Sequence, residues 1–437
     1  MSRTGSQIAP LYRRLPHGPS GMDREEVARN QRARLFGAMI EAISQRGYRA
    51  TTVAHVIALA GVSRRAFYEL FPNKEQCFLA TYDIVVARSR KCVLDAWAGE
   101  RGWANRVHSG CKALLDDVSE APKGPRLVFV DALGIGRKAR ERLLLAGFTF
   151  ERLVVGAFQV APDGVGFSQL TSRAIVGGVR QVIFKRLLEQ REREICMLTD
   201  EVLDWIESYR TPAAGRLGVP APLPSGHQPP TPAAFLARDD KRARVLGSVV
   251  HLTLDEGYPA LTDPQIAQFA GMSTEAFHKQ FANKEEGFLA VLDEFVREAV
   301  NTVRPSLEEG DDWAEGVYRA MVAFVDYLVA HEALLRIAFI DVFDVGPGMV
   351  GRLTRSVEGI AKLLSEHAPE PRRGPEVLAD AIPGAMWAII SGYVSNGRVA
   401  RLPCLVDHLT FTVLAPYLGP KAAIEAIQMA RKPLRAV

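Results

Sequence analysis

The chain has 437 residues, 48% of them hydrophobic and 24% charged, with 54 Lys and Arg set against 50 Asp and Glu. That balance is ordinary for a globular protein of roughly two to four domains, and a net charge of +4 is too small to argue for a nucleic-acid partner by itself. The five cysteines, Cys77, Cys92, Cys111, Cys196 and Cys404, lack CxxC spacing, which excludes a disulfide framework and a zinc site; the N-terminus lacks the apolar segment of a secretory signal and no uninterrupted apolar run approaches the roughly 18 residues of a membrane helix, so a cytoplasmic protein is expected.

Residues 1–23 are polar, contain Pro and Gly, and carry Arg3, Arg13 and Arg14, the composition of a disordered basic arm. From Arg24 a helical period begins, with Val27, Leu35, Ala38, Met39, Ala42 and Ile43 on one face, and Gly47 closes it. Thr52 caps a second short helix carrying Val53, Val56, Ile57 and Ala60, which ends at Gly61. Ser63 caps a third, in which Ala66, Phe67 and Leu70 face a core. Pro72 breaks that helix, and Asn73 starts a fourth running to about Gly99. Further helices are expected at about 137–160, 167–190 and 196–210. In the second of these, Gly177 and Gly178 among Ile175, Val176, Val179, Val182 and Ile183 mark either internal core or a helix face for dimerisation. A Pro-rich stretch at 212–235 has the composition of a semi-rigid linker. No alternating strand pattern of useful length is present, so the fold class is all-α.

The chain then repeats itself. Residues 47–80 and 257–290 align without a gap at a shift of 210 positions, and the same shift sets Phe129 on Phe339, Asp131 on Asp341 and Gly136 on Gly346. A period of that length is far beyond a solenoid repeat and predicts a duplicated domain. The expected layout is a helix-turn-helix domain at 24–90, a helical regulatory domain at 91–211, the linker at 212–235, a second and degenerate helix-turn-helix at 236–300, and a second helical regulatory and dimerisation domain at 301–437.

The ordered string Gly47-Tyr48, Thr51-Thr52-Val53, Ala60-Gly61-Val62-Ser63, Phe67-Tyr68, Phe71, Asn73-Lys74-Glu75 and Phe78 closely resembles the N-terminal domain of tetracycline-repressor (TetR) family regulators. The resemblance implies two TetR-like units, each a three-helix head with a helix-turn-helix followed by a helical bundle for ligand binding and dimerisation. It makes Thr52 a phosphate contact at a helix N-terminus, with Arg64 and Arg65 reaching base edges from the recognition helix. Ser63 opens that helix, Tyr68 and Lys74 bond phosphates, and Arg32 and Arg34 lie on the DNA side of the first helix. The plainer alternatives are that Thr52 and Ser63 are only caps and that the two arginines form a solvated face. Leu70 departs from the Tyr or His often found at its position.

The two copies differ in charge. Residues 28–90 hold ten basic and four acidic residues, a net of +6, whereas 238–300 hold seven basic and eleven acidic, a net of −4. Because phosphate neutralisation dominates DNA affinity, an acidic face is a poor DNA binder. At the matching positions Arg64 becomes Thr274, Arg65 becomes Glu275 and Tyr68 becomes His278; Thr262, Ser273 and Lys284 persist. DNA contacts through Thr262, Ser273, Thr274, His278 and Lys284 are therefore expected to be weak or lost.

These features point to a ligand-responsive regulator, a repressor, that reads double-stranded operator DNA through the first head and takes a small apolar effector. Aromatics of the helical domains, Phe129, Phe148, Phe158, Phe324 and Trp387, are candidate pocket residues, with core filling as the alternative use of each. The rival is a scaffold that heterodimerises with other regulators without reading DNA. No enzymatic grouping of Ser, His and Asp, no metal-ligand cluster and no cofactor motif is recognisable, and no membrane partner is implied. Covalent linkage favours pairing of the two repeats within one chain, an intramolecular pseudo-dimer, over a homodimer.

Overall fold

The computed structural model describes residues 24–158, 168–210, 217, 233–309, 312–366, 368–370 and 375–434. The expected basic arm at 1–23 and most of the expected linker lie outside these. All regular elements among the described residues are helical. The first half contains α1 (Arg24–Ala50), α2 (Val53–Ala60), α3 (Arg64–Leu70), α4 (Lys74–Ala98), α5 (Trp103–Glu120), α6 (Lys123–Arg126), α7 (Arg137–Phe158), α8 (Gln169–Leu188) and α9 (Thr199–Glu207). The second contains α10 (Lys241–Glu256), α11 (Asp263–Phe269), α12 (Thr274–His278), α13 (Lys284–Glu308), α14 (Trp313–Ala330), α15 (Glu332–Arg336), α16 (Val342–Val345), α17 (Pro347–Ser365), α18 (Pro375–Val394), α19 (Val406–Leu418) and α20 (Pro420–Leu434).

Irregular elements recur at matching places. A five-residue π-helical segment follows α6 at Leu127–Asp131 and another follows α15 at Ile337–Asp341, while 3-10 segments occur at Glu192–Leu198 and Val399–Leu405. The Pro-rich segment ends at a packed anchor: Phe235 is buried, and its backbone N–H donates to Glu298 Oε1 at 2.9 Å.

The heads are built from the punctuation in the sequence. Gly47 takes φ 71° and breaks the α1 path; Gly61 takes φ 58° and Gly271 φ 66°, left-handed conformations that let each helix-turn-helix bend without a Cβ penalty. Asn73 and Asn283 cap α4 and α13 by accepting from the backbone N–H of Gln76 at 2.9 Å and Glu286 at 3.0 Å.

The hydrophobic core is divided unequally. Leu35, Met39, Ile43, Phe67 and Phe78 form the core of the first head, joined by Leu127 and Val128 from the π segment. The second head, with Val249, Ile266, Phe277 and Phe288, belongs instead to the large continuous core of the helical body.

Helices α8 and α18 form the central seam between the halves. A Cβ on Gly177 would lie 2.7 Å from the carbonyl oxygen of Gly384 and overlap Ala388, and a Cβ on Gly384 would lie 2.8 Å from the carbonyl oxygen of Gly177 and overlap Gln181. The Gly177-Gly178 pair is buried in this seam, against α18 of the same chain. At the end of the seam the buried Asp380 accepts from Lys185 at 2.8 Å and from Arg186. The window Val377–Val394 within α18 is long and apolar enough to cross a membrane, but 61% of it is buried inside the protein.

Candidate nucleic-acid interface and effector cavity

The first head presents a polar face whose geometry follows from its caps. Thr52 Oγ1 accepts from the His55 backbone N–H at 3.3 Å, and His55 Nδ1 accepts from the Thr52 N–H at 3.2 Å, a reciprocal box with histidine where glutamate is usual. Ser63 Oγ accepts from the Ala66 N–H at 3.1 Å. Both caps are exposed, so the N-termini of α2 and α3 face solvent. A helix N-terminus carries unpaired N–H groups and a partial positive charge, which suits phosphate. Val56 and Phe67 anchor the two helices on the core side and fix the opposite face outward.

On that outer face lie Arg64, Arg65 and Tyr68, all exposed, with Arg32 exposed on α1. The Arg64 guanidinium lies 5.8 Å from the centroid of the Tyr68 ring, and Arg65 Nε is 2.8 Å from Glu69 Oε1 one turn on. The arginine side chain of that pair is 89% exposed, so water competes for it and the guanidinium is readily recruited by a base edge.

Two expected contacts are corrected. Arg34 is buried, and its Nη2 donates to the carbonyl of Gly61 at 2.7 Å. It braces the helix-turn-helix bend from behind because it stands two residues, over half a turn, from the exposed Arg32. Lys74 also turns inward: its Nζ donates to the carbonyls of Tyr48 at 2.9 Å and Thr51 at 2.8 Å and sits 4.1 Å from the Tyr48 ring centroid. Burial there holds its pKa below the usual lysine value.

The second head repeats the frame without the cationic face. Thr262 caps α11 by accepting from the Gln265 N–H at 3.4 Å, and Ser273 caps α12 by accepting from the Ala276 N–H at 3.1 Å. Lys284 Nζ donates to the carbonyls of Leu261 at 2.7 Å and Tyr258 at 3.3 Å, the counterpart of the Lys74 brace. Lysine thus makes the same backbone brace in both heads. Helix α12 has 5 residues against 7 in α3. Its Thr274 is half-buried, Glu275 is 3.3 Å from Lys279, and His278 Nε2 is 3.8 Å from Asp263.

Residues 37–81 match the family model of bacterial regulatory proteins of the tetR family. The matched stretch runs from within α1 into α4 and includes the whole helix-turn-helix of the first head. Over 123 residues the chain is 28% identical to the HTH-type transcriptional activator FasR of Mycolicibacterium smegmatis. That alignment takes in 28% of this chain and 56% of FasR, so the chain spans about half the length of this curated relative. Among solved structures, the fatty acid degradation regulator FadR from Bacillus halodurans is similar with a TM-score of 0.36 and 13% identity, covering 40% of this chain and 96% of that one. A TetR-like transcriptional regulator from Rhodococcus sp. RHA1 gives 0.34 and 14%, with 42% and 96% covered.

Behind the first head, α4, α5, α7 and α8 enclose an apolar cavity of about 150 Å³, and the second half holds a smaller one of about 60 Å³ between α13, α14, α17 and α18. The size difference is readable in the side chains. Val85 and Gly147, which line the first, are matched at the repeat shift by Phe295 and Val357, which fill the second. Of the expected pocket aromatics, Phe129 lines the first cavity, and Phe324 and Trp387 line the second.

Phe148 is a correction: it is 45% exposed and 5.6 Å from the Arg173 guanidinium, because its neighbours Gly147 and Phe150 occupy the inward face of α7. Phe158 ends α7, and its side chain lies outside the described residues. The sequence reading missed Tyr82, Trp97 and Arg180, all of which line the first cavity. One signal was available: Arg180 interrupts the apolar run Val176, Val179, Val182, Ile183 on α8.

Proposed function

We propose that this protein is a ligand-responsive transcriptional regulator that binds operator DNA through the first head. The observation that carries the reading is the exposed cluster of Arg64, Arg65 and Tyr68 beside two solvent-facing helix N-termini. Phosphate contacts position such a head, and arginine at the start of the recognition helix reads bases. The family match over residues 37–81 supports it, as does the name of the FasR relative. Whether binding represses or activates depends on where the operator lies relative to the polymerase. The scaffold reading is weaker because it leaves this exposed cationic face without a use.

The two halves are descendants of one duplicated unit, paired within the chain along α8 and α18. Support comes from the matching π segments and from the reciprocal approach of Gly177 and Gly384. The second head is a scaffold: its core is continuous with the helical body and its recognition helix carries Glu275 where the first has Arg65. The first head, whose core is separate from that of the helical body and shares with it only the segment around Leu127, Val128, Ala132 and Ala139, is the part that shifts. A small apolar effector in the first cavity then selects between two head positions by its differential affinity for them.

The test is selection of bound sites from a random-sequence DNA pool. Enrichment of a motif whose base requirements fall on one side is expected. A pool that fails to enrich in low salt contradicts the reading.

A further inference from the structure

The first cavity contains, at its Arg180 and Tyr82 end, a contradiction that a ligand would resolve. Its walls are almost wholly apolar, yet among its lining residues three buried polar atoms lack a hydrogen-bond partner: Arg180 Nε, Tyr82 Oη and Trp97 Nε1. Each of the three groups carries an N–H or O–H to give. No carboxylate among the described residues pairs with Arg180. An arginine does not shed its proton inside a protein, so its charge persists there uncompensated. Arg180 is half-buried, with Nε shut off from solvent; desolvation without a partner is costly for such a group, and its retention in an apolar chamber suits an acceptor that is itself charged.

The second half serves as an internal control. Gly177 meets Ala388 as Gly384 meets Gln181, which sets Gly177 on Gly384 and Gln181 on Ala388 and therefore Arg180 on Trp387. At the repeat shift Tyr82 falls on Leu292 and Trp97 on Leu307. All three donors have given way to groups that fill space. Trp387 stacks on Phe339 with ring centroids 4.1 Å apart, in the part of the second cavity equivalent to the Arg180 end of the first. Where the chamber is smaller, the donors are absent.

Position sets the orientation of the ligand. Tyr82 and Trp97 stand fifteen residues apart on α4, about 22 Å along the helix axis. Arg180 acts electrostatically on Tyr82 and also lines the small gap beside Gln181 and Phe343 at the junction of the halves. The charged end of the chamber is thus the end nearer the DNA-reading head.

We propose that the first cavity binds one amphiphilic carboxylate per chain, with its head group on Arg180 and Tyr82 and its hydrocarbon body running along α4 toward Trp97, while the second cavity binds none. This rests on the ligand-responsive reading above but is tested without DNA. Titration calorimetry of the full chain with decanoate should give a stoichiometry of one. Methyl decanoate, which keeps the chain and lacks the charge, should bind about tenfold or more weakly, since a charge-assisted bond to a buried partner is lost. Arg180→Met should bind acid and ester equally and melt at a higher temperature than the parent without ligand. Tyr82→Phe, which keeps the packing, should weaken decanoate alone. Absence of saturable decanoate binding, equal binding of acid and ester by the parent, an acid preference surviving in Arg180→Met, or two sites per chain would each overturn the proposal. Loss of DNA binding with the carboxylate site intact would instead sink only the regulatory reading.

Discussion

Arg49 Nη2 donates a hydrogen bond of 3.1 Å to the carbonyl of Val345, tying the end of α1 in the first head to α16 in the second half of the chain. Two further bonds cross the same junction: the Gly134 N–H donates to the Phe343 carbonyl at 2.6 Å and Arg140 Nη1 to the Ile340 carbonyl at 3.2 Å. The acceptors lie in or just after the π segment Ile337–Asp341, whose Ala338 and Phe339 line the second cavity. These three bonds hold the first half, and the end of α1 with it, against the second half.

The closest point of this junction is Gly134. It takes φ 82°, and a Cβ added there would lie 2.6 Å from the Gly346 Cα. Gly134→Ala meets backbone on the far side and an unfavourable φ, so a loss of about 2 kcal/mol or more in urea unfolding is expected. Gly136→Ala provides the comparison: its φ of 118° is equally unfavourable, but nothing stands within 4 Å of the added atom. The smaller loss should fall on Gly136.

The inward lysines make a separable prediction. Lys74→Ala and Lys284→Ala each abandon two backbone carbonyls, and each should cost about 1–2 kcal/mol of stability in thermal unfolding. Only Lys74→Ala should also weaken DNA binding, through the loosened turn of the reading head. Lys284→Ala should leave operator affinity within about twofold. A Lys74→Ala protein of unchanged stability would show that the lysine serves the phosphate backbone instead.

Asp131 and Asp341 should each contribute more stability in mild acid than at neutral pH. Burial pushes Asp131 and Asp341 up to about 6. Their folded values lie above the unfolded one of about 4, so the folded chain binds more protons between these limits. The contribution to stability is complete below about pH 4 and is lost as pH rises through about 6. Asp341 is buried, with Oδ2 lacking a hydrogen bond and only a loose contact of 3.7 Å to Arg336 Nε, so Asp341→Asn should flatten the profile between pH 5 and 7.5. An unchanged slope in chemical denaturation would contradict this.

The helices of the heads were legible because their boundaries are written in caps and glycines: Thr52, Gly61, Ser63 and Asn73 each stop or start an element where expected. The outward set Arg64, Arg65 and Tyr68 was legible for the same reason, since a short helix with Phe67 inside leaves few other directions. Arg34 and Lys74 were misplaced because composition says that a cation is present, whereas its direction depends on which carbonyls lie within reach after folding. Phe148 failed similarly, one helical step from the inward face. The donors of the first cavity were illegible because Tyr82, Trp97 and Arg180 belong to helices that meet only in three dimensions.

The central claim is that one head reads DNA and the other does not. Two double variants, Arg64→Ala with Arg65→Ala and Thr274→Ala with Glu275→Ala, should be titrated against the selected site by fluorescence anisotropy at several salt concentrations. The first should lose about 1–3 kcal/mol or more of binding free energy and most of its base preference. The second should bind as the parent does, or more tightly once the carboxylate is gone. Equal losses from the two pairs, with equal penalties for base changes in both arms of the site, would contradict the account.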